Sequence, residues 1–200
     1  MSLTKEQLTR AGWISIANAI FTIPAIVMSF FLESAEGTGP RLAQAILIVV
    51  GLGLFVYVLL FLKQLLNLRF RFHDADIYIS YLLWGNLSLS LFHLLSLVSP
   101  EFEWAVAILS ILAYVFFGIL SILFSSRLLR LPYRFYGLLK AYCYITMISG
   151  ACFVTVVLLP LGILVGAASD VILGIVFFRA AEEHPSSVEI GERHEGETAP

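Results

Sequence analysis

Six long runs of apolar residues make up most of the chain, and short polar segments separate all but the last two. The runs cover residues 13–32, 42–62, 77–98, 104–126, 141–159 and 161–178. Each run is close to the ~20 residues that a helix needs to cross ~30 Å of hydrocarbon. Because backbone amides inside a membrane must be hydrogen-bonded within their own segment, we interpret each run as a transmembrane α-helix. The pattern therefore predicts an all-α membrane protein with a six-transmembrane-helix bundle over residues 13–180.

The fifth and sixth runs are not separated by a polar segment. Residues 145–178 form one nearly unbroken apolar stretch, which as a single helix would be ~50 Å long, too long for one span. The strongest turn signal inside this stretch is Pro160-Leu161-Gly162. We therefore predict that the chain turns back there and that two helices result.

The basic residues predict the orientation of the bundle. Eleven of the twelve Lys and Arg residues lie before the first run or after the second, fourth and sixth runs, and only Arg41 lies on the other side. Lys and Arg are retained on the cytoplasmic side of a membrane. Both termini are therefore predicted to be cytoplasmic, with residues 1–12 as the start of the first helix and the acidic residues 181–200 as a disordered tail.

The first helix has a clear start signal. Thr4 and Gln7 fit a capping box, and Leu3 with Leu8 fits the accompanying hydrophobic staple. The helix is therefore predicted to begin at Lys5 and to run directly into the membrane.

Composition agrees with a membrane protein and excludes several other classes. The chain is 60% hydrophobic and 13% charged, with a mean hydropathy of +0.93, which is far outside the range of soluble domains. We expect a multi-pass protein of the plasma membrane, specifically a bacterial inner membrane. No basic tract suggests a nucleic-acid partner. Cys143 and Cys152 predict neither a disulfide nor a metal site.

The chain also contains an internal repeat. Residues 60–72 (LFLKQLLNLRFRF) match residues 123–135 (LFSSRLLRLPYRF) at seven of thirteen positions. Pro24, Pro100 and Pro160 recur in or just after the odd-numbered helices. We interpret the chain as three duplicated helical hairpins. In hairpin count and proline placement it resembles the HdeD-type acid-resistance membrane proteins, and the resemblance implies the same general six-helix layout.

Asp170 is the sharpest candidate for a functional residue. It is predicted to lie near the bilayer midplane, where an ionised carboxylate is very costly, so intramembrane acids often relay protons or bind ions. The alternative is a neutral or hydrogen-bonded acid with a structural role. Polar groups expected at a similar depth, and therefore able to bond it, are Thr22, Asn86, Tyr114 and Ser149.

A second polar group is predicted on the third helix, where His93, Ser90 and Asn86 share one face. This face could line a polar cavity in which His93 exchanges protons, although such a histidine is more often simply hydrogen-bonded within a bundle. Together with Asp170 and with Tyr114 of the fourth helix, these three residues form a predicted polar site of five residues.

Small and hydroxyl residues form stripes on the last three helices. The stripes consist of Ser110, Tyr114, Gly118, Ser121 and Ser125; of Tyr142, Thr146 and Ser149; and of Gly162, Gly166, Asp170 and Gly174. Such stripes let helices approach closely, so we favour a packing role over a solute path.

Three arginines are candidates for a contact with anionic lipid headgroups. Arg69 and Arg71 follow the second run, and Arg134 follows the fourth, each among aromatic residues. Belt anchoring and topology are the simpler explanation of all three.

The sequence as a whole predicts a non-catalytic integral membrane protein, an accessory, structural or stress-related component. The alternative is a small transporter or channel that uses Asp170 and the polar face of His93. No catalytic residue, cofactor or metal site is predicted. The expected partners are membrane lipids and either a second copy of the chain or another subunit of a membrane complex.

Overall fold

The computed structural model describes residues 3–33, 35, 37–131 and 137–183, and these contain six α-helices and no strand. The helices are α1 (Lys5–Glu33), α2 (Thr38–Phe70), α3 (Asp76–Val98), α4 (Glu103–Leu128), α5 (Leu138–Val154) and α6 (Leu159–Glu182), with a short 3₁₀ turn over Pro100–Phe102. Five of them are long and apolar enough to cross a membrane. The exception is α5, whose 17 residues fall just below that length.

The start of α1 is formed as predicted. The Thr4 backbone N–H donates to Gln7 Oε1 at 3.0 Å, and the Gln7 N–H donates to Thr4 Oγ1 at 3.3 Å. Leu3 and Leu8 are both buried beside this cap. The reciprocal bonds satisfy two of the N–H groups that have no partner within the helix, which fixes the start at Lys5.

The turn between the fifth and sixth helices is not where the sequence predicted it. It lies over residues 155–158, so Pro160 and Gly162 both belong to α6. Pro160 stands in the first turn of that helix, where its missing N–H removes no hydrogen bond and its fixed φ suits the helix. The predicted turn position is wrong because this proline marks the start of the helix that follows the turn.

Two predicted ends also shift. Helix α2 continues to Phe70, well beyond residue 62, because Leu65 and Leu66 of this amphipathic extension are buried in the core. Helix α6 continues to Glu182 and buries Ala181, so the predicted tail cannot begin at residue 181. The rest of that tail, residues 184–200, lies outside the described residues.

The six helices form a closed ring. Each one packs against its neighbours in sequence, and α6 packs against α1 to complete the circle. In the described part of the chain, Cα atoms of helices that are not neighbours in the ring stay more than 8 Å apart. The centre of such a ring is a space that side chains either fill or leave open.

One half of that interior is filled by apolar side chains, and we call it the sealed half. It contains the starts of α1, α3 and α5 and the ends of α2, α4 and α6. All six helices contribute to its core, which includes Leu8, Leu62, Ile79, Phe124, Cys143 and Phe177. Each of these side chains is at most 1% exposed, so the described interior of this half is tightly packed.

Glycines allow the tightest contacts in the ring. A Cβ atom on Gly118 of α4 would lie 2.5 Å from the carbonyl oxygen of Gly150 of α5, and a Cβ on Gly150 would lie 2.7 Å from that of Gly118. Similarly, a Cβ atom on Gly174 of α6 would lie 3.0 Å from the carbonyl oxygen of Gly12 on α1. These glycines serve packing within the chain, as predicted for the small-residue stripes.

Candidate functional site

The second half of the ring surrounds an open cavity of about 740 Å³, which we call the chamber. All six helices line it, from the middle of the ring towards the α1–α2 and α3–α4 connections. Polar and ionisable side chains of the lining are Asn18, Thr22, Ser29, Gln44, Asn86, Ser90, His93, Tyr114, Ser121, Tyr142, Thr146, Ser149, Ser169 and Asp170. Polar groups scattered over the whole sequence therefore meet in one space.

The five residues predicted as a polar site all line this chamber. Asn86, Ser90 and His93 enter from α3, Tyr114 from α4 and Asp170 from α6. Helical spacing had already placed the three α3 residues on one face. The sequence did not predict that this face, Tyr114 and Asp170 all line the same interior.

Asp170 is held at the contact between α6 and α1. Asn18 donates from Nδ2 to Asp170 Oδ2 at 2.7 Å, and the Ser15 hydroxyl donates to the Asp170 backbone oxygen at 2.8 Å. Asn18 is 8% exposed and Ser15 is fully buried. The acid thus has a fixed position, and its partner is Asn18 rather than one of the four groups expected from their depth.

Sequence reasoning missed Asn18, although a signal for it exists. Ser15, Asn18 and Thr22 recur at helical spacing along α1 and form a polar stripe like those recognised on the later helices. Within that stripe Thr22 donates to the Asn18 carbonyl at 2.8 Å, so the stripe is also internally bonded.

His93 is oriented by a buried serine of α4. Ser110 donates its only hydroxyl proton to the Val106 carbonyl at 2.7 Å. The 3.0 Å contact between Ser110 Oγ and His93 Nε2 must therefore have Nε2–H as the donor. This bond connects α3 with α4 at the edge of the chamber and fixes which ring nitrogen carries hydrogen when His93 is neutral.

Hydroxyl groups of α5 bond to α6 beside the acid. Thr146 donates to the Tyr142 carbonyl at 2.8 Å, so the 2.6 Å contact between Thr146 and Ser169 has Ser169 as its donor. Ser149 donates to the Gly162 carbonyl at 2.7 Å. These bonds give most of the α5 stripe a structural role, and they also present hydroxyl oxygens along one wall of the chamber.

The remaining lining is apolar and includes several phenylalanines. Phe21 and Phe55 come from α1 and α2, Phe117 from α4 and Phe153 from α5. The Tyr114 and Phe153 rings lie with centroids 6.2 Å apart. Neither Lys nor Arg is among the described lining residues. The chamber is thus a mostly apolar space with a polar face and a single acid.

The three arginines predicted to contact lipid differ in how the structure describes them. Arg69 donates to the Ala180 carbonyl and pairs with Glu183 at 3.1 Å, which ties the end of α2 to the end of α6. Arg71 follows α2 in a left-handed conformation, with φ of 50°. Arg134 lies outside the described residues. Arg69 therefore has a structural role within the chain, independent of any contact with lipid.

The described residues contain no group of three or more His, Cys, Asp or Glu that could hold a metal ion. Fold and site together define an all-helical protein with several apolar helices, which fits a multi-pass membrane protein, and with an internal chamber lined by all six helices. No family model, no curated protein and no solved structure matches the chain.

The bond between Asn18 and Asp170 leads to a prediction about stability. Asp170→Leu should lower the free energy of unfolding by about 2 kcal/mol, because it leaves the buried Asn18 amide without its acceptor. Asp170→Asn keeps an acceptor oxygen in place and should cost less than about 1 kcal/mol. Unfolding of the purified protein in detergent, followed by circular dichroism against added dodecyl sulfate, measures both.

A double variant provides the control. Asn18→Leu combined with Asp170→Leu removes both partners, so its loss should be smaller than the sum of the two single losses. Equal losses for Asp170→Leu and Asp170→Asn would mean that this hydrogen bond does not stabilise the ring.

Proposed function

We propose that this protein is a non-catalytic multi-pass membrane protein that binds a small amphipathic solute in the chamber and acts as a small transporter. The observation that carries the proposal is the convergence of polar side chains from all six helices on one cavity. Its volume of about 740 Å³ is within the range of roughly 300–1,000 Å³ that is typical of small-molecule sites. Sites of that kind are mostly apolar, with a few convergent polar groups.

The distribution of the lining supports an amphipathic solute. Helix α2 contributes an almost wholly apolar wall, which includes Leu47, Ile48, Leu52 and Phe55. Amide, hydroxyl and carboxyl groups come mainly from α1, α3, α5 and α6. A solute with one apolar and one polar side would satisfy both walls without leaving buried polar groups unpaired.

The proposed topology has six spans and both termini in the cytoplasm. Support comes from the distribution of Lys and Arg and from the position of α5 in the ring between α4 and α6. At 17 residues α5 is about 25 Å long, which is at the lower limit for a span. In this orientation the sealed half is cytoplasmic and the chamber lies on the opposite side.

The sealed half favours a carrier over an open channel. A channel needs a continuous wet path, whereas the interior of the sealed half is filled by side chains such as Leu62, Leu66 and Phe177. A solute that entered the chamber could therefore leave on the cytoplasmic side only after the helices of that half move apart. We also propose that the protein lies in the plasma membrane and that its three hairpins arose by duplication. Its layout would then resemble that of HdeD-type proteins.

The second candidate is the accessory or stress-related membrane component predicted from the sequence. The bond between Asn18 and Asp170 favours it, because that bond gives the intramembrane acid a structural task at the α1–α6 contact. Under this hypothesis the chamber would bind no solute in a saturable way.

Two glycines of α2 provide a matched test of the transporter proposal. Gly51 lines the chamber, whereas Gly53 is exposed on the outside of the ring with nothing within 4 Å of its Cβ position. Gly51→Phe should reduce the affinity for a neutral amphipathic probe, triphenylphosphine oxide, by about tenfold or more, because the new ring occupies the chamber. Gly53→Phe should leave it unchanged. Equilibrium binding of the tritiated probe to the protein in lipid nanodiscs measures this.

Size-exclusion chromatography of each variant verifies that the ring is still folded. If the wild type binds no saturable probe, or if the two variants bind it equally, the chamber is not a solute site and the accessory role is favoured. A chamber variant that fails to fold is replaced by Ser90→Phe, with Ser88→Phe as its control on the outer face of α3.

A further inference from the structure

The charges of the chamber are unusually simple. Asp170 is the only acid among the described lining residues, and His93 is the only residue there that can carry a positive charge. An ionised carboxylate in an apolar space is unstable unless a counter-charge accompanies it. Without Lys or Arg in the lining, that counter-charge has to be protonated His93, a proton on Asp170 itself, or a cation that enters the chamber.

The carboxyl group is positioned to receive such a cation. Asn18 fixes one oxygen, Oδ2, at 2.7 Å, and Ser15 fixes the backbone of the same residue. Asp170 and Asn18, which holds its Oδ2 atom, are both lining residues of the chamber. An acid held in this way is organised before any ligand arrives, which lowers the cost of binding.

The walls of the chamber favour an organic cation over a metal ion. Phe21, Phe117 and Phe153 and the ring of Tyr114 line the same space, and aromatic faces attract large, weakly hydrated cations. Ca²⁺ and Mg²⁺, in contrast, need several oxygen ligands around one point, and the chamber offers one carboxylate. A bulky monovalent cation matches both the apolar area and the single charge.

We propose that the solute is a lipophilic monovalent organic cation that pairs with the Asp170 carboxylate in exchange for a proton. This inference rests on the proposed function and specifies its substrate class. The exchange balances in charge: the cation enters, the carboxyl group loses one proton to the aqueous phase, and Asp170 becomes the counter-ion of the bound cation. Transport of one cation would then be coupled to one proton moving the other way.

Few other ionisable groups can interfere with this exchange. Helix α1 presents Asn18 and Ser15 to the acid, and neither titrates. Helix α5 presents Tyr142, which lies close enough to interact electrostatically with Asp170. His93 on α3 and Tyr114 on α4 line the rest of the chamber. Protonated His93 would also repel a cation, so its contribution has to be separated by experiment.

The test compares three phenyl-substituted probes with different charges: tetraphenylphosphonium, triphenylphosphine oxide and tetraphenylborate. Equilibrium binding to the full-length protein in nanodiscs is measured between pH 5 and 9. The wild type should bind the cation more tightly than the other two, and the affinity should rise with pH by up to about tenfold per unit, the limit for competition with one proton. Asp170→Asn should weaken cation binding by about tenfold or more and remove the part of the pH dependence that comes from Asp170, with a much smaller effect on the neutral probe.

His93→Gln separates the two ionisable groups, because it removes the imidazole charge and should retain the pH dependence that comes from Asp170. The inference is overturned if Asp170→Asn binds the cation as tightly as the wild type, or if the borate binds as tightly as the phosphonium. Binding of the neutral probe alone would overturn the cation inference and leave the proposed function standing. Binding of none of the three would overturn both.

Discussion

Replacing Gly118 by alanine is expected to lower the free energy of unfolding by about 3 kcal/mol, the largest effect of a single added methyl group in this ring. The new Cβ would lie 2.5 Å from the Gly150 carbonyl oxygen and 3.0 Å from the Val154 backbone nitrogen. Both are backbone atoms, so no side-chain rotation can relieve the contact. Helices α4 and α5 would have to move apart along their whole contact.

The same substitution at Gly53 should have the opposite sign. Gly53 lies inside α2 with nothing within 4 Å of its Cβ position, so alanine should stabilise the helix by about 0.5–1 kcal/mol. Unfolding in dodecyl sulfate, followed by circular dichroism, compares the two variants. Similar values for Gly118→Ala and Gly53→Ala would contradict the close crossing of α4 and α5.

Local patterns in the sequence predicted most of the fold. The capping box of Thr4 and Gln7 predicted the first residue of α1 because the cap depends only on neighbouring residues. Length was equally useful at the other end, because residues 145–178 are too long for one span and were therefore predicted to form two helices. The position of the turn between them was wrong, because Pro160 starts a helix as readily as it ends one.

The candidate site was only partly predictable. Periodicity placed Asn86, Ser90 and His93 on one face, since this depends on the helix alone. The partner of Asp170 could not be found in this way, because Asn18 is 152 residues away and meets it only when α6 closes the ring against α1. Ring closure follows from the packing of complete helices, and no local pattern encodes it.

The small-residue stripes required the structure for a different reason. One stripe on α6 serves three purposes: Gly162 packs against Phe153 of α5, Gly174 packs against α1, and Gly166 with Asp170 lines the chamber. Spacing identifies residues on one face, yet a helix in a ring has two neighbours and an interior. Which part of a stripe meets which surface depends on the crossing geometry of all three.

Reactivity of introduced cysteines is expected to distinguish two serines of α3 by about a hundredfold, because the thiolate that reacts forms in contact with water and not in lipid. Ser90 lines the chamber and Ser88, two residues earlier, is exposed on the outer face. In a chain whose buried Cys143 and Cys152 have been replaced by alanine, each serine is changed singly to cysteine.

The rate of labelling by a small, water-soluble methanethiosulfonate reagent, measured on the protein in nanodiscs, tests the chamber most directly. We expect Ser90→Cys to react rapidly, Ser88→Cys to react slowly, and triphenylphosphine oxide to protect only the first. Equal, slow rates at both positions, with no protection by the probe, would contradict a six-helix ring that encloses a solute chamber.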